Sequence, residues 1–313
     1  MTNASLNILG GTSPEQFLRQ YWQREPLLVR NALPDFSSPL SADELAGLAF
    51  DTDVESRLVF EQGESGPWEV RHGPFQESDF ANLPEQAWTL LVQAIDLWVP
   101  AAKSILHHFD FLPAWRLDDI MASYAVAGGS VGPHFDHYDV FLLQVQGQRL
   151  WKIGDVCSDQ TPLVAGTDLQ IVENFRARQE WLLNPGDMLY LPPLLSHWGV
   201  ARSDCLTFSV GFRAPTLADM LGDLAIEILA QGNDKYYTDP ELNPSMASEE
   251  IHPAFIEQAK KLLREALNDD ALIEDWFARF MTAAKYPELE QRTEEQRHAS
   301  VRGQRYNNGD LES

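Results

Sequence analysis

Three histidines in this chain stand two residues ahead of an aspartate: His108-Phe109-Asp110, His134-Phe135-Asp136 and His137-Tyr138-Asp139. On a β-strand, side chains i and i+2 leave the same face with Cα atoms ~6.5 Å apart, so a histidine and a carboxylate at that spacing can grip one ion. A further histidine from elsewhere would complete a set of two imidazoles and a carboxylate. On iron(II) such a set leaves three coordination positions open, enough for a bidentate 2-oxo acid and dioxygen. A lone HxD is weak evidence, because at least two of the three matches are incidental. An exposed or locally hydrogen-bonded histidine is the ordinary explanation of each.

Context separates the three. His108 falls at the end of an expected helix over Ala101–His108, where an imidazolium suits the helix dipole. His134 follows Gly128-Gly129-Ser130-Val131-Gly132-Pro133, a glycine-rich turn that would feed a strand, and His137 and Asp139 would then face the other way. For the third ligand the candidate is His197, which comes after the turn Asn184-Pro185-Gly186-Asp187, the run Met188–Leu191 and the stiff pair Pro192-Pro193. Its plain alternative is a surface histidine beside Trp198. Arg149 adds a fourth piece. Val140–Trp151 reads as a hairpin turning at Gln146-Gly147, which sets Arg149 opposite Gln144, a residue with the parity of His134 and Asp136. A guanidinium inside a barrel needs an anion, and the distal carboxylate of 2-oxoglutarate would supply a bidentate, charge-assisted pair. An exposed hairpin arginine is the alternative.

The elements that would position these residues are short strands. Between about Asp119 and Phe212 the β-type runs are Ile120–Val126, Val140–Val145, Leu150–Ile153, Leu169–Val172, Trp181–Leu183, Met188–Leu191 and Leu206–Gly211, separated by glycine and proline turns. That rhythm predicts a barrel or jelly roll. Upstream, Ser13-Pro14-Glu15-Gln16 is a helix start whose Gln16 can close a capping box, and Ser41-Ala42-Asp43-Glu44 is a second capping box. Arg57–Phe60 and Trp68–Arg71 read as strands, while Trp88–Val99 is ambiguous between helix and strand. Downstream, Leu217–Leu229, Pro253–Leu267 and Ala271–Ala284 carry helical periodicity, and Tyr286–Ser313 is polar enough to read as a linker or disordered tail.

Composition narrows the partners. With 47 acidic and 23 basic residues the formal charge is −24, which repels nucleic acid and anionic membranes and suits a basic partner, though solubility alone would also account for it. The two cysteines, Cys157 and Cys205, frame neither a disulfide scaffold nor a zinc site. Met1-Thr2-Asn3-Ala4 lacks the start of a secretory signal and no apolar run reaches ~18 residues, so a cytoplasmic protein is expected.

Taken together, these segments resemble the JmjC-domain ribosomal oxygenases, and among them the bacterial branch that hydroxylates an arginine of a large-subunit ribosomal protein. The resemblance is carried by Gly132-Pro133-His134-Phe135-Asp136-His137-Tyr138-Asp139-Val140-Phe141, by Gly147-Gln148-Arg149-Leu150-Trp151, by Pro185–Pro193 with His197, and by Ser209-Val210-Gly211-Phe212-Arg213-Ala214-Pro215. Phe17–Arg30 is similar to the family's N-terminal entry, and the likeness covers most of residues 10–285. It implies a mainly β fold with flanking helices: an N-terminal α/β entry over 1–87, a double-stranded β-helix (cupin jelly roll) over 88–215, a helical dimerisation region over 216–285, and a polar linker or tail over 286–313. It implies iron(II) on His134, Asp136 and His197, and 2-oxoglutarate as co-substrate on Arg149, with Ser123 of Met121-Ala122-Ser123-Tyr124 beside it. Partners implied are a basic ribosomal protein and a second copy of the chain. For a guanidinium substrate, Tyr138 and Asp139, next to the ligands, are the expected contacts. In one respect the chain departs from the family. Its bacterial members usually carry a C-terminal winged-helix module, and no such pattern is visible before Ser313. Two readings compete: an N-methyl-lysine demethylase with the same iron chemistry, and a non-oxygenase metal-binding cupin. The second would bind metal without consuming 2-oxoglutarate.

Overall fold

The computed structural model describes residues 8–61, 68–232, 235–246, 249–292 and 297–312. The chain divides into two compact units, Met1–Ala214 with Gln291–Thr293, and Pro215–Glu290 with Glu294–Ser313.

The first unit is built on eleven strands: β1 (Leu27–Val29), β2 (Ser56–Glu61), β3 (Trp68–His72), β4 (Trp88–Val92), β5 (Leu117–Ala125), β6 (Val140–Gln146), β7 (Arg149–Val156), β8 (Gln179–Leu183), β9 (Met188–Leu191), β10 (Leu195–Ala201) and β11 (Cys205–Phe212). Eight of them form one sheet in the order β1-β9-β6-β11-β5-β4-β2-β3, and β10-β7-β8 form a second. Strand alternation then sorts the apolar side chains. Phe141 and Leu143 of β6, Phe208 and Val210 of β11, and Ile120 and Ala122 of β5 point outward, into a core shared with Phe17 and Leu45 of the N-terminal helices. Val140 and Leu142 point the other way, toward Trp151, Ile153, Leu183 and Leu189. β6 is therefore buried on both faces and reads as an unbroken apolar run. Each fully buried Phe or Leu contributes ~1.5–3 kcal/mol relative to exposure.

Both helix starts form, the first with its serine cap but without the return bond from Gln16. The Ser13 hydroxyl accepts the Gln16 N–H at 3.1 Å ahead of the helix Pro14–Gln20, and Ser41 and Glu44 close a full capping box on Ala42–Leu48. Trp88–Val99 resolves into β4 and the short helix Ile95–Trp98.

Three expectations are corrected. Leu169–Val172 is not a strand; it contributes one isolated bridge, Leu163 to Val172. His134–Asp136 is not a regular strand either, and His134 makes a single bridge to His197. The hairpin Val140–Trp151 does not form. β6 pairs with β11 and β9, whereas β7 pairs with β10 and β8, so Arg149 lies opposite Ala201 and Leu183 rather than Gln144. The corner is set by Gly147 at φ +63°, where a Cβ would sit 2.0 Å from the Asp204 carbonyl oxygen. Only glycine fits this corner, where the chain passes from one sheet to the other.

The second unit holds the helices Leu217–Ala230, Pro253–Leu267 and Asp270–Thr282, close to the expected spans. Here the polar linker or tail over 286–313 is corrected as well. Pro287–Arg292 is a helix, and β12 (His298–Val301), β13 (Gln304–Asn307) and β14 (Asp310–Leu311) form an antiparallel sheet. The segment is folded, with helices followed by a small β wing, the order of elements in a winged helix. Few apolar residues suffice because Tyr306 is fully buried and its hydroxyl reaches Asp275, while buried Glu290 pairs with Arg297 at 3.2 Å.

Candidate metal centre and co-substrate cavity

His134 and His197 come from segments far apart in sequence and are joined main chain to main chain. The His134 N–H donates to the His197 carbonyl at 3.0 Å, and the His197 N–H returns the bond at 2.8 Å. Each ring is then turned by a second bond. Nδ1 of His134 lies 2.9 Å from the Gly132 carbonyl, and Nδ1 of His197 lies 2.9 Å from the Leu195 carbonyl. A ring whose Nδ1–H donates to a carbonyl keeps its Nε2 lone pair free, the tautomer a metal requires. Asp136 completes the set, its carboxylate 3.6 Å from His197 Nε2 and its carbonyl anchored by the Leu194 N–H at 2.7 Å. One ligand atom from each of the three falls within 4.8 Å of the others. Burial, and then the neighbouring His134, push the His197 imidazole down to about 4, so the ring is neutral near pH 7 and able to ligate. These are the donors iron(II) accepts, gathered on one side with open positions opposite.

Those positions open on a cavity of about 370 Å³ between the two sheets. Arg149 and Trp151 of β7 line it from the smaller sheet, and Met121, Ser123, Leu142 and Ser209 from the larger. Arg149 is 5% exposed and donates from Nη1 to the Ser123 hydroxyl at 3.0 Å. Its Nε and Nη2 are buried with no hydrogen-bond partner. Stranded charged donors in an apolar wall are costly, and a carboxylate arriving there would satisfy both at once. The wall thus fits the distal carboxylate of a 2-oxo diacid whose other end reaches the metal.

Of the expected site residues, His134, Asp136, His197, Arg149, Ser123 and Tyr138 all line this cavity. Asp139 does not. It is fully buried in the opposite direction, accepting from the Tyr190 hydroxyl at 2.6 Å and from Gln23 Nε2 at 3.1 Å, with Arg116 at 3.7 Å. Its side chain ties the N-terminal segment to β9. Sequence reasoning missed Met121, Ser209 and Arg57. Met121 carried a usable signal, since it lies two residues before Ser123 on one strand and so shares its face. Ser209 follows from Met121 by cross-strand register. Arg57 had no local signal, for its place depends on β2 and β4 joining the large sheet.

The chain was compared with known proteins. The JmjC domain family matches residues 104–220. The chain is 37% identical over 273 residues to the ribosomal protein uL16 3-hydroxylase of Escherichia coli, covering 86% of this chain and 71% of that protein. It is 40% identical over 234 residues to a probable ribosomal oxygenase of Haemophilus influenzae, with 74% and 56% covered. Among solved structures, that of E. coli YcfD superposes with a TM-score of 0.84 at 33% identity, over 96% of this chain and 85% of that one. YcfD in complex with cobalt and 2-oxoglutarate gives a TM-score of 0.81 at 32% identity over the same shares.

Proposed function

Because the chain belongs to the JmjC-domain ribosomal oxygenases, we propose that it is an iron(II)- and 2-oxoglutarate-dependent hydroxylase of an arginine in a large-subunit ribosomal protein. One observation carries this reading furthest. The buried Arg149, with two donors unspent, shares a cavity with His134, Asp136 and His197. A cupin that only bound metal would have no use for a stranded guanidinium there.

Iron(II) with 2-oxoglutarate and dioxygen supplies the insertion of one oxygen atom into an unactivated C–H bond, with succinate and CO₂ as the other products. The protein's part is placement. His134 and His197 present Nε2 because the Gly132 and Leu195 carbonyls hold their other nitrogens. Arg149, steadied by Ser123, fixes one end of the co-substrate, and Val140, Leu142 and Trp151 keep water from the carboxylate. Tyr138, 40% exposed on the cavity wall, offers a ring face and a hydroxyl to an incoming guanidinium. The charge of −24 would speed encounter with a basic ribosomal protein.

On this reading residues 88–215 are the catalytic core and 216–285 a dimerisation region. Leu217, Leu221, Ile226 and Leu229 on one helix, and Ile256, Leu263 and Leu267 on the next, are exposed and support a homodimer, which light scattering tests. No described helix is long and apolar enough to cross a membrane, and we place the enzyme in the cytoplasm, where ribosomal proteins are made.

The test is mass spectrometry of a uL16 peptide from the same organism, incubated with enzyme, iron(II), 2-oxoglutarate and dioxygen, beside a His134→Ala control. One oxygen gained on an arginine, absent from the control, supports the proposal. Succinate without a modified peptide would move the substrate elsewhere. Formaldehyde would point to demethylation, and metal binding with no turnover to a non-oxygenase cupin.

A further inference from the structure

The side chain that links the two ligand-bearing segments, beyond the main-chain bonds of His134 and His197, is not a ligand. Ser130 is 2% exposed, and its hydroxyl oxygen accepts the Gly132 N–H at 2.9 Å and the Trp198 indole N–H at 2.6 Å. Gly132 is the residue whose carbonyl turns the His134 ring, and Trp198 directly follows His197 on β10. A serine hydroxyl accepts two hydrogen bonds and donates one. With both acceptor sites taken, the hydroxyl can serve any further neighbour only as a donor.

Trp198 is held from its other sides as well. Lys152, its register partner on β7, places its ammonium 4.3 Å from the indole centroid, and Phe175 meets the ring edge-on at 6.1 Å. Since side chains alternate along β10, His197 faces the cavity and Trp198 the opposite side, so a shift of the strand backbone at Trp198 moves the imidazole as well.

We propose that Ser130 is a positioning residue of the metal centre, its hydroxyl tying the turn before His134 to the His197 strand through Gly132 and Trp198. The proposal rests on His134, Asp136 and His197 being the ligands. Removing the hydroxyl leaves two N–H donors without their acceptor and loosens the Gly132 carbonyl and the Trp198 ring, while the main-chain bonds between His134 and His197 remain; a metal site tolerates displacements of only ~0.5 Å.

The experiment is cobalt(II) titration of the metal-free protein, followed by absorption, with melting of the metal-free forms measured alongside. Ser130→Ala is expected to bind cobalt ~10–100-fold more weakly, the usual effect of losing a group that orients a ligand. Trp198→Phe, which keeps a smaller aromatic ring and loses the N–H, should weaken binding in the same direction. Ser130→Ala/Trp198→Phe should be no worse than Ser130→Ala alone, because the bond that Trp198→Phe cuts is already lost with the serine hydroxyl. Glu61→Gln keeps an acceptor and should leave affinity within about twofold of the parent, a change far below the tenfold that ~1.4 kcal/mol represents. Additive losses in the double variant overturn the proposal, as does unchanged affinity in both single variants. So does a fall in affinity that merely tracks a fall in melting temperature. If Ser130→Ala does not fold, the contrast between Trp198→Phe and Glu61→Gln still decides. A His134→Ala control that binds cobalt as the parent does would instead overturn the ligand assignment itself.

Discussion

Arg149→Met separates the co-substrate reading from a structural role for this arginine. Methionine keeps the length of the side chain and fills the space beside Trp151, but brings no charge. In the parent, Arg149 makes one hydrogen bond, to Ser123, and leaves Nε and Nη2 buried without partners. For the fold, losing that bond and stranding the Ser123 hydroxyl costs about 1–3 kcal/mol, while removing two stranded donors returns about 1–3 kcal/mol each. The co-substrate-free protein should therefore melt no lower than the parent. For 2-oxoglutarate the balance is one-sided. Truncating one partner of a buried charge pair costs ~2–5 kcal/mol, a ~30- to 5,000-fold rise in Kd at ~1.4 kcal/mol per decade. Calorimetric titration gives the Kd, and melting curves with and without 2-oxoglutarate give both effects in one series. If the variant bound 2-oxoglutarate within ~3-fold of the parent, the role given to Arg149 would be refuted. So would a melting point lowered by more than ~5 °C without co-substrate, because a loss of ~1 kcal/mol shifts a domain of this size by only ~2–4 °C.

Further outcomes are expected elsewhere in the chain. Gly132→Ala places a Cβ 2.3 Å from Ile171 Cδ1 at a backbone φ of +79°. It should cost ~1–3 kcal/mol by urea unfolding and weaken metal binding, and Ile171→Val in the same chain should recover only the steric part. Tyr306→Ala removes a fully buried ring and should cost the second unit ~3–5 kcal/mol, seen as rapid proteolysis of residues 286–313, with 2-oxoglutarate binding unchanged. Two buried groups should tilt stability with pH in opposite senses. Burial lifts Glu61 to about 7, so its contribution is full below 4.5 and lost as pH rises through about 7; Glu61→Gln should flatten that decline, roughly 1–2 kcal/mol after allowing for solvent contact. His197 is depressed, so its contribution is full above 6.5 and lost as pH falls through about 4. Urea unfolding of metal-free protein across that range reads both.

The chemistry of this chain was more legible than its geometry. His134, Asp136 and His197 could be picked out because turns and prolines constrain the backbone around them, and turns are written in local sequence. Arg149 was reached through a hairpin that does not exist. The residue lines the cavity because β7 crosses to the other sheet at Gly147, a choice made by the Asp204 backbone packed against that glycine and invisible in the strand pattern. Asp139 fails as a substrate contact because that reading rests on adjacency to the ligands, whereas strand alternation, which turns Asp139 away from His134 and Asp136, gives the direction the structure has. The stretch 286–313 was misread because it folds on a few anchors, Tyr306 and the Glu290–Arg297 pair, too sparse for a window of average hydropathy to register.

The paired main-chain bonds between His134 and His197 bear on how the ion is acquired. Many small metal sites exist only once metal is bound, so that ion affinity is largely folding free energy and a chelator unfolds the protein. Here two of the three ligands are fastened together by the backbone, and their rings are already turned by carbonyls. The ion enters a finished socket. A newly synthesised chain can fold before any iron reaches it, and a chelator should strip the metal while leaving the barrel standing. Which divalent ion occupies the site will then follow supply, ligand type and the geometry the fold has already set.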